Sequence, residues 1–140
     1  MICFEDVAVG DVVPVFDLPL TVQRMVMEAA ANRDYAPIHS DRELSIAAGA
    51  PDMFANVMFL QAIFEATLRT WMGSSGRLRR LAFDMQGFNL AGTVVEAEGV
   101  VSATKVIDDS GLIELDVWLG TRGARNAVGT AEVTLPMRAT

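Results

Sequence analysis

The chain reads as a single α+β domain in which a curved antiparallel sheet wraps around one long central helix. Three observations predict this. Helical periodicity is confined to the residues before Gly73, and the rest is strand-like to the end. The segment Asn56 to Met72, "NVMFLQAIFEATLRTWM", is apolar on almost every side, and such a helix belongs inside something. Two later stretches alternate with period two, so one face of the sheet is buried.

The elements follow in order. "FEDVAVGDVVPVFDLPL" holds a turn at Gly10-Asp11, then an extended stretch whose Pro14 and Pro19 suit an edge strand rather than a central one. Thr21 is placed to cap a helix. From there Val22, Met25, Val26, Ala29 and Ala30 fall at i, i+3, i+4, i+7 and i+8, one amphipathic stripe that should stop near Asn32. Ser40-Asp41-Arg42-Glu43 has capping-box spacing, so a second short helix starts there and ends at Gly49-Ala50-Pro51. The central helix closes at Gly73-Ser74-Ser75-Gly76. Four long strands are expected next, roughly Arg77 to Leu90, Thr93 to Ile107, Gly111 to Thr121 and Asn126 to Pro136. Turn signals separate them at Ala91-Gly92, Asp108-Asp109-Ser110-Gly111 and Arg122-Gly123-Ala124-Arg125. In the third, Ile113, Leu115, Val117 and Leu119 oppose Glu114 and Asp116; in the fourth, Ala131, Val133 and Leu135 oppose Thr130, Glu132 and Thr134. Helices first and strands after, with one helix greasy all round, pack most economically as a hot-dog domain.

Composition narrows the function. A length of 140 residues is one domain's worth, so 1–140 is read as a single unit. No apolar run is long enough to span a membrane, and the first residues lack signal-peptide order, which points to the cytoplasm. A formal charge of −7 with Lys105 as the one lysine argues against nucleic acid. Cys3 is the only cysteine and His39 the only histidine, which leaves no plausible metal cluster. Hydrophobic residues reach 51%, and the simplest reason is apolar surface covered by another subunit.

The one histidine stands in "NRDYAPIHSD", five residues after Asp34 with Pro37 between them. Proline disfavours helix at Ala36, so Asp34 and His39 should share a bent, irregular loop between the two short helices. Histidine exchanges protons near neutral pH, and a carboxylate beside it can orient the ring or hold a water. The plain alternative is a loop histidine and a surface aspartate. A serine or cysteine nucleophile fits poorly, for no Gly-x-Ser-x-Gly elbow is present and Cys3 sits in a terminal segment. Arg77, Arg79 and Arg80 are open to two readings, phosphate contacts or a solvated strand face. The methionines read as adaptable core or interface filler.

"FEDVAVGD", then a helix, then "DYAPIHSD" resembles the MaoC-like family of hot-dog enoyl-thioester hydratases and dehydratases. That family's signature is Asp-x-Asn-Pro-aliphatic-His with Asp two residues on. The resemblance covers nearly the whole chain and sets the catalytic aspartate at Asp34 and the catalytic histidine at His39. Two departures stand out. Ala36 replaces the family's asparagine, and "MFANVM" replaces its usual His-Gly, with Asn56 and Val57 in that place. "RDYAPIHSDRELSIAAGAPDMFANVMF" followed by "WMG" is similar to one branch, the small subunits of actinobacterial hydratases acting on steroid side-chain enoyl-CoA esters. Arg33-Asp34, His39, Asp41-Arg42, Gly49, Asp52, Phe54, Asn56, Trp71 and Gly73 carry that similarity.

The resemblance implies reversible hydration of a trans-2-enoyl-CoA to a 3-hydroxyacyl-CoA of R configuration, with Asp34 and His39 sharing the water. The backbone amides of Asn56 and Val57, at a helix N-terminus, are the expected oxyanion donors. No metal or cofactor is required, coenzyme A being part of the substrate. The expected partner is a copy of the chain or a second MaoC-like hot-dog subunit. Three other readings stay open: a carrier-protein dehydratase using the same pair, a non-catalytic hot-dog subunit, and a thioesterase with Glu65 as its carboxylate.

Overall fold

The structure is a computed structural model that describes residues 2–138. Five antiparallel strands form one sheet: β1 (Val12–Pro19), β2 (Arg77–Met85), β3 (Val94–Ile107), β4 (Ser110–Gly120) and β5 (Ala127–Pro136), in spatial order β1-β3-β4-β5-β2. The fold class is the expected one, with β1 supplying a fifth strand. As its prolines require, β1 lies at an edge, and its pairing with β3 shifts register between Val13 and Phe16, around Pro14.

Helix α3 (Val57–Met72) lies against the sheet and buries Phe59, Leu60, Ile63, Phe64, Leu68 and Met72. Each large side chain so removed from water contributes roughly 1.5–3 kcal/mol, the main force that folds the sheet around the helix. From the sheet come Val95, Ala97 and Val101 of β3, Ile113, Leu115, Val117 and Leu119 of β4, and Ala131, Val133 and Leu135 of β5. The two alternating stretches thus turn inward the faces their period assigns.

Three expectations need correction. The first C-terminal strand ends at Met85 rather than Leu90, because Gln86 and Gly87 turn their amides to the Asn126 carbonyl. The following residues cross instead to the segment before α3, with Ala55 N–H on the Asn89 carbonyl, Ala91 N–H on the Met53 carbonyl, and Phe54 bridging Leu90. The second short helix, α2 (Arg42–Ala47), is capped by Asp41 rather than Ser40: the Asp41 carboxylate accepts from Leu44 N–H at 3.0 Å. Ser40 belongs instead to the preceding turn, its own N–H and that of Asp41 both closing back on the Pro37 carbonyl. His39, finally, sits in a short 3-10 turn, Pro37–His39, rather than in irregular loop. Among the described residues no helix is long and apolar enough to cross a membrane.

Candidate active site

Asp34 takes its place from the end of α1 (Val22–Ala31). Asp34 N–H bonds the Ala29 carbonyl at 2.9 Å and Arg33 N–H the Ala30 carbonyl at 3.1 Å, the paired closure of a Schellman cap. Arg33 stands at the left-handed position with φ 57°, where glycine is usual. The loop that follows carries Ala36 into extended geometry before Pro37, and the 3-10 turn swings His39 back. His39 is buried, with its Nε2 3.6 Å from Asp34 Oδ2. The two residues singled out in the sequence are brought face to face.

The ring's far side fixes its tautomer. Nδ1 lies 2.8 Å from the Phe54 carbonyl oxygen, which can only accept, so Nδ1 carries the proton of the neutral ring and Nε2 presents a lone pair toward Asp34. The Phe54 ring also packs edge-on against the imidazole, at 4.9 Å between centroids. The segment bearing that carbonyl is tied to α2 by the buried Ser45 hydroxyl, which donates to the Asp52 carbonyl at 2.8 Å, and by an Arg42 to Asp52 ion pair at 3.3 Å. None of this support was legible beforehand, though Asp52 and Phe54 stood among the residues of the resemblance.

Asn56 does more than its backbone suggested. It caps α3, its Oδ1 accepting from Phe59 N–H at 2.8 Å, while its Nδ2 donates to Asp34 Oδ2 at 2.9 Å. Ala36 N–H donates to the other oxygen, Oδ1, at 3.1 Å. A carboxamide therefore reaches Asp34 from the helix, although the loop position carries alanine. The Asn56 donor first, then the Ala36 amide, hold the Asp34 carboxyl below its ordinary range. Val57 opens α3, so its amide has no acceptor inside the helix. Glu28, on α1, is a further carboxyl beside this cluster: burial first, and the Asp34 charge with it, push it above its ordinary value. Its side chain also accepts from Asn32.

A cleft of about 180 Å³ opens on Asp34, lined by Val26, Ala29, Ala30, Tyr35 and Ser40. Two larger depressions, of about 510 and 310 Å³, are lined mainly by strand residues and contain neither member of the pair. Arg80 of the arginine cluster pairs with Glu132 at 3.7 Å on the strand surface, and Glu65 is engaged by Gln61 at 3.0 Å and Arg69 at 3.7 Å.

No protein-family model matches the chain. It is 29% identical, over 93% of its own length and 96% of the relative's, to the 3-oxo-4,17-pregnadiene-20-carboxyl-CoA hydratase beta subunit of Mycobacterium tuberculosis. Among solved structures it matches a chain of the ChsH1-ChsH2 complex from that organism with a TM-score of 0.82 and 27% identity, covering 94% of this chain and 98% of that one. The (R)-hydratase of A. caviae involved in PHA biosynthesis (TM-score 0.84, 22% identity, 94% and 99% covered) shares the fold. So does a MaoC-like dehydratase from Rhodospirillum rubrum (TM-score 0.87, 19% identity, 100% of both chains). In its loop motif, its hot-dog fold and the relatives it matches along nearly its whole length, the chain resembles the MaoC-like hydratases and dehydratases, the mycobacterial beta subunit among them.

Proposed function

We propose that the chain is the catalytic subunit of an enoyl-CoA hydratase, which adds water across the double bond of a trans-2-enoyl-CoA to give a 3-hydroxyacyl-CoA. The observation that carries this reading is the pair of acceptors, Asp34 Oδ2 and His39 Nε2, set 3.6 Å apart, with Asp34 lining a cleft. That separation is too long for a strong direct hydrogen bond and suits a water that donates one proton to each. Asp34, held ionised by its donors, orients the water. His39 takes the proton as the water oxygen bonds to C3, and the π electrons pass to the thioester oxygen as an enolate. The proton then returns from His39 Nε2 to C2 on the same face, and the hydroxyl keeps its other hydrogen. Amides of Asn56 and Val57 at the start of α3 are the donors proposed to meet the enolate oxygen, with the helix dipole in the favourable sense.

The substrate is proposed to be bulky and the enzyme heteromeric. Support for bulk comes from the small side chains Ala29 and Ala30 that line the cleft with Asp34 and from the substrate in the mycobacterial relative's name, a CoA ester on a steroid skeleton. Support for a second hot-dog subunit comes from the two-component ChsH1-ChsH2 complex and from the exposure of Val26, Tyr35, Leu44, Ile46 and Val57 on the elements that build the site. The assembled protein should show kcat/KM at least about tenfold higher for a steroid side-chain enoyl-CoA than for crotonyl-CoA, a gap of roughly 1.4 kcal/mol. Preference for crotonyl-CoA would remove the steroid assignment and leave the general hydratase.

A further inference from the structure

Asn56 is 3% exposed, and both ends of its carboxamide are committed. The cap directs Oδ1 at Phe59 N–H, and because the amide is planar this fixes the direction of Nδ2, which meets Asp34 Oδ2. The position of the carboxylate is thereby referred to the axis of α3 as well as to its own loop. We propose, on the hydratase reading above, that Asn56 is a positioning residue: its carboxamide, held by the helix cap, fixes the Asp34 carboxylate in the orientation it presents to His39. Residues in direct contact with a substrate are not required for this role. Without Nδ2 the carboxylate keeps the Ala36 amide alone and can rotate away from the water it shares with His39.

The charged groups around Asp34 decide what else changes. Glu28 faces it from α1 and His39 from the 3-10 turn, while the first turn of α3 brings no acidic residue. Loss of the Asn56 donor leaves Asp34 nearer to Glu28 in charge preference, so it protonates at higher pH.

Two substitutions isolate the donor. Asn56→Ser keeps an oxygen able to cap the helix but no amide that reaches Asp34, and Asn56→Asp keeps shape and cap while setting a carboxylate against Asp34. In the full-length protein, in its native assembly, both should lower kcat/KM for enoyl-CoA hydration at neutral pH by about tenfold or more, chiefly through kcat. Both should also move the acid limb of the pH profile up by about one unit, Asn56→Asp the further. Carbon-13 titration of the Asp34 carboxyl in the folded chain gives the same comparison without turnover. An acid limb and an Asp34 titration that stay at their wild-type positions in both folded variants would overturn the proposal. Asp34→Asn and His39→Ala in the same assay separate the two ideas: turnover surviving there removes the hydratase reading, while the carboxyl titration still judges Asn56.

Discussion

Asp34 and Glu28 are two carboxyls beside one amide, and their surroundings drive them apart. Asp34, lowered first by the Asn56 donor, contributes stability that is present above its unfolded pKa and is lost as pH falls through the folded value. Glu28, raised first by burial, contributes in the opposite sense: its effect is favourable below the ordinary value of 4.5 and is lost as pH rises through the folded pKa. Glu28→Gln removes a charge that the fold disfavours and keeps the shape, so it should raise the melting temperature at pH 7.5 by about 1–3 °C. The gain should vanish below about pH 4, where both states are protonated. A lower melting temperature at pH 7.5, measured by calorimetry, would mean that the ionised carboxylate is stabilised rather than strained. At this scale the sequence revealed Asp34 and His39, because a proline and five residues of spacing make their meeting a local matter. Asn56 lies 22 positions from Asp34, and its side-chain contact depends on how α1 and α3 pack, which no local pattern records.

The elements were legible where one local rule decides them and less so where two compete. Thr21 capped α1 as expected, its side chain accepting from Arg24 N–H at 3.1 Å. At α2 two good cap residues stand side by side, and the turn made by Pro37 selects Asp41 over Ser40. The two helix ends offer a further contrast. Both close with Schellman bonds, but α2 uses Gly49 at the left-handed position (φ 100°) and α1 uses Arg33. A non-glycine residue there costs about 1–2 kcal/mol, of which the added chain entropy of glycine cancels part. Arg33→Gly should therefore raise unfolding stability by about 0.5–1 kcal/mol in urea titrations while Asp34 N–H keeps its bond to Ala29. A fall in stability would show that the Arg33 side chain makes contacts worth more than the backbone strain.

At the scale of the molecule, the hot-dog architecture followed from the order of periodicities, but what the sheet edges and exposed side chains meet did not. β1 and β2 stand at the ends of the sheet, each paired on one side only, and Val12, Val15, Met58 and Met85 are exposed. Light scattering of the isolated chain at micromolar concentration should give at least twice the 15.1 kDa of one copy. A single species at the mass of one copy would mean that the apolar surface is reserved for a different subunit or left in water. The proposed chemistry rests most directly on the Asp34 and His39 pair. Hydration of an enoyl-CoA, followed by loss of the conjugated thioester absorbance, should fall by about a hundredfold or more in kcat for Asp34→Asn and for His39→Ala, each folded and assembled as the wild type. Turnover close to wild type in both variants would contradict it.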